Sequence, residues 1–584
     1  MNFRISNHNE GSHVDLIEHT LSATLTELDI SVTFDEPVVP QPVRVEWYTP
    51  ILDIYNVWSP SMGLNPSLGY SWSKRITASR LASGAPVHVL MSQGGKNRLT
   101  VALSDAATPH EIASGVLEED GTLQCYVKLF VRPISAISEY RVTVRFDTAD
   151  RPFSESVSDV ANWWAEKCGY PRAYVPEVAK LPMYSTWYSF HQRTIPDEIV
   201  AQCAMAKKMG MDAVIVDDGW QTEDGNRGYA FCGDWEVAPA KIPDMKAFVD
   251  AVHALGMKFI LWYSVPFVGT QTRMYKRFSD KVLGNFSGHG DLQWTCLDPR
   301  YPDVREALMD IYRRAMCEWG LDGFKLDFID SFSLHSEASF AFDDRRDTQS
   351  LEEGVDRLLD GITGTLRAIN PEVLIEFRQS YIGPVIRKYG NMFRVGDCPA
   401  DAIKNRVNGV QLRYLLKGSA IHSDMLMWHP EDTPEAAAKQ IIPTLITVPQ
   451  ISVLIDRIPE SHRRMLENYL TFWRAHRETL LEGKLTADSP ESDYTLVRTE
   501  RGGELIAIAY LPVPLTVKGA YDRVILVNGT AESTLAVRFE KCSTRMGWKI
   551  FDCEGELIEE GIAMGEGIVD YDIPESGRIE FEKA

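Results

Sequence analysis

Carboxylates follow three β-branched or apolar runs in the middle of the chain. They are Asp217 and Asp218 in VIVDDGWQ, Asp327 in GFKLDFID, and Asp397 in FRVGDCPAD. Trp187 in STWYSF and Trp262 in LWYSVPF stand at the ends of two further runs. A pair of carboxylates can supply a nucleophile and a general acid or base, and an aromatic ring offers an apolar face to a substrate. The residue types therefore indicate carboxylate chemistry beside an aromatic surface.

The charged pair Lys325 and Asp327 is separated by one residue, so both side chains lie on the same face if the segment is a strand. Phe324, Leu326 and Phe328 then lie on the opposite face, toward surrounding helices. An unpaired buried aspartate costs several kcal/mol, and a neighbouring lysine offsets only part of that cost. The alternative is a structural ion pair in the core, but the pattern favours a functional Asp327.

The other acids and the tryptophans have structural alternatives when each is taken alone. Asp217 or Asp218 is also the kind of residue that caps a loop or helix, and Asp397 stands where a turn aspartate would precede Cys398. Tryptophans most often pack in cores or under loops. Acids after three segments and aromatics after two favour a site, because a pyranose ring requires an apolar face together with carboxylates.

Short β-branched segments alternate with helical segments from about residue 175 to about residue 480. The predicted strands are Leu181–Tyr188, Ala213–Asp217, Lys258–Tyr263, Gly323–Asp327, Val373–Arg378, Met392–Val395, Ser419–Ser423 and Gln450–Leu454. Pro196 begins one predicted helix, and Gly256 and Gly320 end two others. Eight such strands predict a (β/α)8 barrel, in which the acids would meet at the carboxyl ends of the strands. A doubly wound sheet is the alternative, but its usual glycine-rich phosphate turn is absent.

Segments of alternating apolar and polar residues flank the predicted barrel on both sides. We therefore predict a multidomain α/β protein with a central TIM barrel over residues 171–482. An N-terminal β-sandwich would occupy residues 1–170, and a small C-terminal antiparallel β-sandwich domain would occupy residues 483–584.

The charge balance argues against some classes of partner. The 584 residues include 60 basic and 82 acidic side chains, for a net charge of −22. We expect no nucleic-acid binding by bulk charge and no anionic membrane partner. The first residues lack the apolar core of a secretory signal, and the longest uncharged apolar run, Gln440–Ile455, is too short to span a bilayer. Nine scattered cysteines without a CxxC pair are typical of a reducing compartment, so we expect a cytoplasmic protein.

Several chemistries lose support because their motifs are missing. The sequence has no G-x-G-x-x-G, P-loop or G-x-S-x-G motif, and no His-x-His or H-E-x-x-H pair. We therefore expect neither a cofactor nor a metal ion. Asp327 and Asp397 can instead flank a scissile bond, and carboxyls about 5 to 5.5 Å apart suit a retaining glycosidase. Lys325 and Arg394 would keep the nucleophile ionised, and the second carboxylate would raise the pKa of the acid.

Six motifs in order resemble glycoside hydrolase family 36, the retaining α-galactosidases, in the clan shared with family 27. They are TWYSF (186–190), VDDGWQ (216–221), GDW (233–235), GMKFILW (256–262), FKLDF (324–328) and FRVGD (393–397). The resemblance implies that Asp327 is the nucleophile and Asp397 the acid/base. It further implies the residues that would bind the galactose, which are Trp187, Asp217, Asp218, Trp235, Lys325 and Arg394.

The chain departs from the family pattern after the fifth predicted strand. Many members carry a CSGGG-like loop there, whereas this chain reads EFRQSYIGP, and Arg378 would take that place in the pocket wall. Some members receive an aromatic side chain from the N-terminal domain, for which Trp58 is the candidate here. Family members are often dimers or tetramers, so the resemblance also implies a homo-oligomer.

The predicted activity is hydrolysis of small α-galactosides. One alternative keeps the fold and transfers galactose to another sugar, because VDDGWQ also resembles raffinose-synthase-like enzymes. Others are an α-N-acetylgalactosaminidase, an α-glucosidase-like enzyme of the related clan, or a carbohydrate-binding protein without catalysis. The presence of both Asp327 and Asp397 argues against the last, because binding requires neither a nucleophile nor an acid.

Overall fold

The computed structural model describes residues 2–60, 63–64, 66–334, 337–540, 545–563 and 566–583. Its N-terminal strands are β1 Arg4–Asn7, β2 Ser12–Thr20, β3 Leu25–Val38, β4 Val43–Pro50, β5 Asn56–Trp58, β6 Arg75–Ser79, β7 Val87–Met91, β8 Asn97–Leu103, β9 His110–Leu117, β10 Thr122–Leu129 and β11 Ile137–Asp147. They form two antiparallel sheets, β1-β4-β10-β9-β6 and β2-β3-β11-β8-β7-β5. Alternate residues such as Leu28, Ile30 and Val32 in β3 are buried in a shared apolar core, as a sandwich requires.

The middle of the chain forms an eight-stranded parallel barrel. The strands of this segment are β12 Met183–Ser185, β13 Ala213–Val216, β14 Lys258–Ser264, β15 Phe267–Gly269, β16 Ser287–His289, β17 Leu292–Cys296, β18 Gly323–Asp327, β19 Leu374–Arg378, β20 Met392–Arg394, β21 Ala420–His422 and β22 Gln450–Ile451. The barrel order is β21-β20-β19-β18-β14-β13-β12-β22, and β15 to β17 form a separate antiparallel sheet. Parallel bridges from His422 to Val448 and from Leu426 to Ile451 join the two ends of the barrel sheet. The predicted fold class is therefore confirmed, and each predicted barrel strand overlaps an observed one.

Eleven α-helices are present among the described residues. They are α1 Phe153–Glu166, α2 Trp187–Phe190, α3 Pro196–Lys208, α4 Met245–Ala254, α5 Arg273–Phe278, α6 Pro302–Trp319, α7 Glu337–Phe340, α8 Leu351–Ile369, α9 Ala402–Leu415, α10 Pro434–Ile441 and α11 Glu460–Glu482. Helix α3 begins at Pro196, and α6 is capped at its C-terminus by Gly320, whose left-handed φ of 75° favours glycine. In the described part of the chain, no helix is long and apolar enough to cross a membrane.

The C-terminal segment forms two further sheets. Its strands are β23 Lys484–Asp488, β24 Leu496–Arg501, β25 Glu504–Ala509, β26 Leu515–Lys518, β27 Arg523–Asn528, β28 Thr534–Glu540, β29 Met546–Phe551, β30 Leu557–Ala563, β31 Gly567–Asp572 and β32 Arg578–Lys583. Most pairs are antiparallel, but β25–β27 and β26–β28 are parallel. The purely antiparallel prediction missed these pairs because β25, β26 and β27 alternate between the two sheets. The boundaries predicted near residues 170 and 482 stay predictions.

The barrel interior changes from apolar to polar along the strands. Its floor is an apolar cluster that includes Met183, Ala213, Ile260, Leu374 and Ala420. Two residues further along β19 lies Glu376, and two further along β21 lies His422, both fully buried. Because side chains alternate along a strand, the next inward positions lie at the carboxyl ends, where polar groups can face a substrate.

Candidate active site

Adjacent parallel strands bring the predicted charged residues to one end of the barrel. In the strand register, Lys325 pairs with Trp262 on one side and with Glu376 on the other. Asp327 pairs with Ser264, and Arg378 with Arg394. The side chains that follow β13, β18, β19 and β20 therefore converge at the carboxyl ends of the strands, as the sequence predicted for a barrel site.

Asp327 is a buried carboxylate that accepts four hydrogen bonds. Its Oδ1 accepts from Arg378 Nε at 2.7 Å, from Tyr381 Oη at 2.6 Å and from the Phe328 backbone N–H at 2.8 Å. Its Oδ2 accepts from Trp262 Nε1 at 3.0 Å. The side chain is 8% exposed. Three donors thus contact one oxygen, while the other has a single described donor and one lone pair free.

The pKa of Asp327 lies well below its usual range. Burial alone raises the pKa, but the positive charges of Arg378 and Lys325 and the hydrogen bonds from Tyr381 and Trp262 outweigh it. The group is therefore ionised at neutral pH although it is almost excluded from water. An ionised, fixed carboxylate of this kind is suited to act as a nucleophile.

The two acids that follow β13 have different partners. Asp217 Oδ2 accepts from Lys325 Nζ at 2.6 Å, and both side chains are buried. Asp218 accepts from Gln192 Nε2 and Gln221 Nε2, each at 2.7 Å. Burial raises the pKa of Asp218 to about 6, although the two amide donors act in the opposite direction. Lys325 therefore links Asp217 to the Asp327 cluster, and Asp218 can hold a proton near neutral pH.

Asp397 is the exposed acid of the cluster, with 56% of its side chain accessible. Its Oδ1 accepts from Arg394 Nη2 at 2.8 Å. Burial of the carboxyl raises its pKa, but the charges of Arg394, Arg378 and Lys325 outweigh burial, so the pKa is lowered overall. The predicted raised pKa of the acid is therefore wrong for the free protein, because a direct arginine partner and two further cations exceed the effect of the second carboxylate.

Arg394 is 1% exposed and is surrounded by acids rather than open to the mouth. Its Nη1 donates to Asp424, and its Nε lies 3.8 Å from Glu376 Oε1. Asp424 also accepts from the Cys398 backbone N–H at 2.6 Å and from Tyr188 Oη at 2.9 Å. Arg394 therefore joins the barrel interior to the loop that carries Asp397.

Sequence reasoning missed Asp424, Glu376 and Tyr381. Asp424 lies two residues after the end of β21, and Asp327 is the last residue of β18. An acid at the carboxyl end of a predicted barrel strand could therefore have indicated Asp424 from the sequence. Glu376 lies two residues before Arg378 in β19 and therefore on the same face, so the period of two could have indicated it. Tyr381 lies in the loop after β19, where no pattern points to its hydrogen bond with Asp327.

Aromatic side chains line one flank of the cluster. The ring of Trp235 lies 5.9 Å from that of Trp262 and 4.8 Å from that of Tyr263. Trp235 is 4% exposed, and its buried Nε1 has no hydrogen-bond partner among the described residues. Trp187 is half-buried, with its ring 5.0 Å from His191. Trp262 and Trp235 thus form a continuous aromatic wall beside Asp327. Trp187 follows β12, which lies next to β13 in the barrel.

Phe328 does not face the helices as predicted. Strand β18 ends at Asp327, and Phe328 adopts a left-handed φ of 63°, so the alternation of the strand no longer applies. Its ring lies 4.7 Å from Phe267, and the guanidinium carbon of Arg378 lies 5.2 Å from the ring centroid. Phe328 is therefore half-buried on the side of the carboxylate cluster.

Trp58 is placed away from the carboxylate cluster. It lies in β5 of the N-terminal sandwich, is 2% exposed, and packs 5.8 Å from Phe153 of α1. Its indole packs against α1 and contacts none of the carboxylates of the cluster, so its position does not support the prediction that Trp58 lines the pocket. Asp401, the next acid after Asp397 in the sequence, accepts from the Lys404 backbone N–H at 2.9 Å and caps α9.

Arg378 occupies the position predicted from the unusual EFRQSYIGP segment. Its Nε donates to Asp327, and its Nη1 donates to the backbone oxygen of Gln379 at 2.8 Å. Among the described residues, no group of three or more His, Cys, Asp or Glu side chains is arranged to hold a metal ion. The described site therefore consists of carboxylates, fixed cations and aromatic rings.

The barrel and its carboxylate cluster define a protein similar to the α-galactosidases of glycoside hydrolase family 36. The model of the Melibiase family matches residues 182–378, from the start of the barrel through Arg378. The galactosidase domain of the α-galactosidase–sucrose kinase AgaSK has a TM-score of 0.66 at 12% identity, over 100% of this chain and 86% of that one. The family 36 α-galactosidase AgaA from Geobacillus stearothermophilus has a TM-score of 0.65 at 12% identity, over 100% and 87%. These likenesses show a shared fold.

Two curated relatives match shorter segments. The α-galactosidase Mel36A of Lactobacillus acidophilus is 30% identical over 102 residues, which are 17% of this chain. The A type blood α-D-galactosamine galactosaminidase of Flavonifractor plautii is 27% identical over 148 residues, which are 23% of this chain. In each case the chain covers 13% of the relative's length.

Proposed function

We propose that this protein is a retaining, exo-acting α-galactosidase that hydrolyses terminal α-galactosyl residues of small α-galactosides by double displacement. The observation that carries the proposal is the contrast between two carboxylates, Asp327 and Asp397. The side chain of the first is 8% exposed and fixed by four donors, and that of the second is 56% exposed and anchored by Arg394. A nucleophile must be fixed and ionised, whereas an acid/base must reach the leaving group and then water. The names of the relatives support the same substrate class.

In the first step, Asp327 attacks the anomeric carbon. Its Oδ1 is occupied by Arg378, Tyr381 and the Phe328 N–H, so Oδ2 is the oxygen with a lone pair available for the new bond. The Trp262 N–H on Oδ2 fixes the direction of the one remaining lone pair. The C1–O bond of the leaving group breaks as the ester bond forms, and Asp397 gives its proton to the departing oxygen.

In the second step, Asp397 takes a proton from water, which displaces Asp327 from C1. The ester no longer carries the negative charge of Asp327, so the nearby cations act on Asp397 alone and favour its ionised form. The pKa of Asp397, already lowered by Arg394, Arg378 and Lys325, suits this base role. In the first step, a bound sugar that displaces water from the mouth disfavours the carboxylate and promotes the acid form.

The galactose is proposed to lie between two tryptophans, Trp187 and Trp235, and the two acids that follow β13. Asp217 and Asp218 would accept hydrogen bonds from sugar hydroxyls, and Lys325 would donate to one while it remains bonded to Asp217. Because Arg394 is buried and bonded to Asp397 and Asp424, we assign it to the positioning of Asp397 rather than to direct sugar contact.

A galactosaminide is the second candidate substrate, because the relative from Flavonifractor plautii is named as a galactosaminidase. The test compares hydrolysis of 4-nitrophenyl α-galactoside, α-N-acetylgalactosaminide, α-glucoside and β-galactoside by the purified chain. We expect the α-galactoside to have the highest kcat/KM, and a higher value for another substrate would replace the proposed specificity. A sugar acceptor added to the assay reveals transferase activity as a new disaccharide product.

The same assay includes two matched variants. Asp327→Asn keeps the size of the side chain but removes the nucleophile, so it should abolish turnover. Asp401→Asn makes the same change in a nearby helix cap and should leave turnover close to that of the parent. Binding of galactosides without turnover by the parent chain would favour the non-catalytic alternative.

A cytoplasmic location is part of the proposal. The eight described cysteines are all free, which is typical of a reducing compartment, and Cys542 lies outside the described residues. A homo-oligomer is proposed from the family resemblance alone and is tested by sedimentation of the purified chain.

A further inference from the structure

A cavity of about 640 Å³ lies at the opposite end of the barrel from the carboxylate cluster. Its wall includes Ser419, Ala420 and Ile421, at the amino end of β21, whereas Asp424 follows the carboxyl end of the same strand. The other walls come from α1, the end of α9 and the segment that joins α11 to β23. Small-molecule sites in proteins have volumes of roughly 300 to 1,000 Å³ and often lie between domains. Both the size and the position of this cavity fit such a site.

The charged side chains of this cavity are mainly cationic. Four are basic (Lys180, Arg413, Lys417 and Lys484) and two are acidic (Glu155 and Glu482). This excess is unusual for a chain whose net charge is −22. The acidic residues are already paired, Glu482 with Lys180 at 2.7 Å and Glu155 with Lys484 at 3.2 Å. The uncompensated charge of the cavity therefore belongs to Arg413 and Lys417.

Arg413 is held in place without an acidic partner. Its Nη1 donates to the backbone oxygens of Ile446 and Leu480. Among the described residues, no carboxylate lies within ion-pair distance of its guanidinium, and no hydrogen bond is made by its Nε or Nη2. Burial lowers the pKa of Arg413 to about 10. The guanidinium is thus fixed by the protein on one side and has free donors for an anion on the other.

The remaining wall of the cavity is largely apolar. Leu416, Ile421, Leu481 and Leu485 line it together with Tyr414. An inorganic ion would leave this surface in contact with water, whereas a ligand with an apolar part would cover it. The lining therefore matches a molecule that has one anionic group and a hydrocarbon or ring portion.

We propose that this cavity is a binding site for a small organic anion, whose carboxylate or phosphate contacts Arg413 and Lys417 and whose apolar part contacts the leucine-rich wall. The site is separate from the carboxylate cluster, and the inference does not depend on the proposed activity. Carboxylate and phosphate share the chemistry that the guanidinium recognises, and the experiment distinguishes them.

The test is calorimetric titration of the full chain with hexanoate, hexyl phosphate, hexan-1-ol and inorganic phosphate. At least one of the two amphiphilic anions should bind about tenfold or more tightly than hexan-1-ol and inorganic phosphate, because each of the latter lacks one half of the recognised chemistry. The tighter of the two anions identifies the preferred head group. Equal affinities for hexan-1-ol and the anions would overturn the proposal.

Three variants locate the binding. Arg413→Met should weaken binding of the preferred anion about tenfold or more. Ser158→Trp should abolish it by filling the cavity from α1, where Ser158 is half-buried in the wall. Lys417→Met should weaken it, whereas the control Lys208→Met, at an exposed lysine of α3 outside the lining, should not. Since Arg413 also holds two backbone oxygens, failure of Arg413→Met to fold leaves the decision to the other two variants. Unchanged affinity in Ser158→Trp would place the binding elsewhere and refute the inference.

Discussion

Arg378 Nε lies 2.7 Å from Oδ1 of Asp327, on the oxygen that also accepts from Tyr381. Arg378 is the last residue of β19, the fifth barrel strand, after which the family resemblance predicts a glycine-rich loop. Its charge is the largest influence that lowers the pKa of Asp327 against the effect of burial. The relationship makes Arg378 a positioning residue for the proposed nucleophile.

Replacement of Arg378 should change the pH dependence of the reaction. Asp327 must be ionised to attack, so activity falls as the pH drops through its pKa. Arg378→Met removes the main lowering influence, so the acidic limb of kcat/KM should move to higher pH, and kcat/KM should fall about 100-fold or more. Arg378→Lys keeps the charge and should move the limb less. The substrate should carry an activated phenol leaving group, which departs without a proton from Asp397, so that the acidic limb reports the ionisation of Asp327. If this limb does not move in Arg378→Met, Arg378 does not lower the pKa of Asp327.

Asp218 should make stability depend on pH. Its pKa is raised by burial to about 6, so the folded state holds a proton that the unfolded chain loses at lower pH. Its contribution to stability is therefore present below about pH 4 and lost as the pH rises through about 6, at a cost of up to about 3 kcal/mol. Asp218→Asn mimics the protonated form, and its melting temperature should exceed that of the parent at pH 7.5 but not at pH 4.

Thermal unfolding across this pH range measures the effect. The control is Asp360→Asn, the same change at an exposed residue of α8. It should give a difference from the parent that does not vary in this way with pH. If Asp218→Asn were less stable than the parent by the same amount at both pH values, the raised pKa would be excluded as the cause.

Asp217 and Asp218 should also contribute to binding of the transition state. A site that hydrogen-bonds hydroxyl groups leaves buried partners unpaired when one member is removed. At least one of Asp217→Ala and Asp218→Ala should lose about 2 kcal/mol or more in kcat/KM, measured on the nitrophenyl galactoside. Asp217→Ala additionally leaves Lys325 without its 2.6 Å partner, so its folding must be checked by circular dichroism. Near-normal kinetics in both variants would show that Asp217 and Asp218 have only a structural role in the VDDGW turn.

The barrel was predictable because each strand carries its own local signal. Short β-branched runs followed by acids gave β13 and β18 within one residue of the observed ends. Contacts between loops carry no such signal. Tyr381 contacts Asp327 from the loop after β19. The lowered pKa of Asp397 depends on its ion pair with Arg394, which lies three residues earlier in the sequence. The placement of Trp58 was not predictable because its burial depends on contact with Phe153, which is far away in the sequence.

The first product should retain the anomeric configuration. Two successive displacements at C1 each invert the centre, so their sum is retention. Proton NMR during early turnover of an α-galactoside should show α-galactose before mutarotation mixes the anomers. An initial β-galactose signal would exclude a covalent intermediate on Asp327.

The assignment of roles is tested most directly by azide rescue of two variants, with the product anomer identified by NMR. Asp327→Gly lacks the nucleophile, so azide should displace an activated leaving group in one step and give the β-galactosyl azide. Asp397→Ala should form the intermediate from the same activated substrate but stall before release, because the base is missing. Azide should then displace Asp327 and give the α-galactosyl azide. The predicted result is therefore the β-azide from Asp327→Gly and the α-azide from Asp397→Ala. The reverse result would contradict the assignment of Asp327 as nucleophile and Asp397 as acid/base. So would an Asp397→Ala variant whose rate depends neither on azide nor on the leaving group.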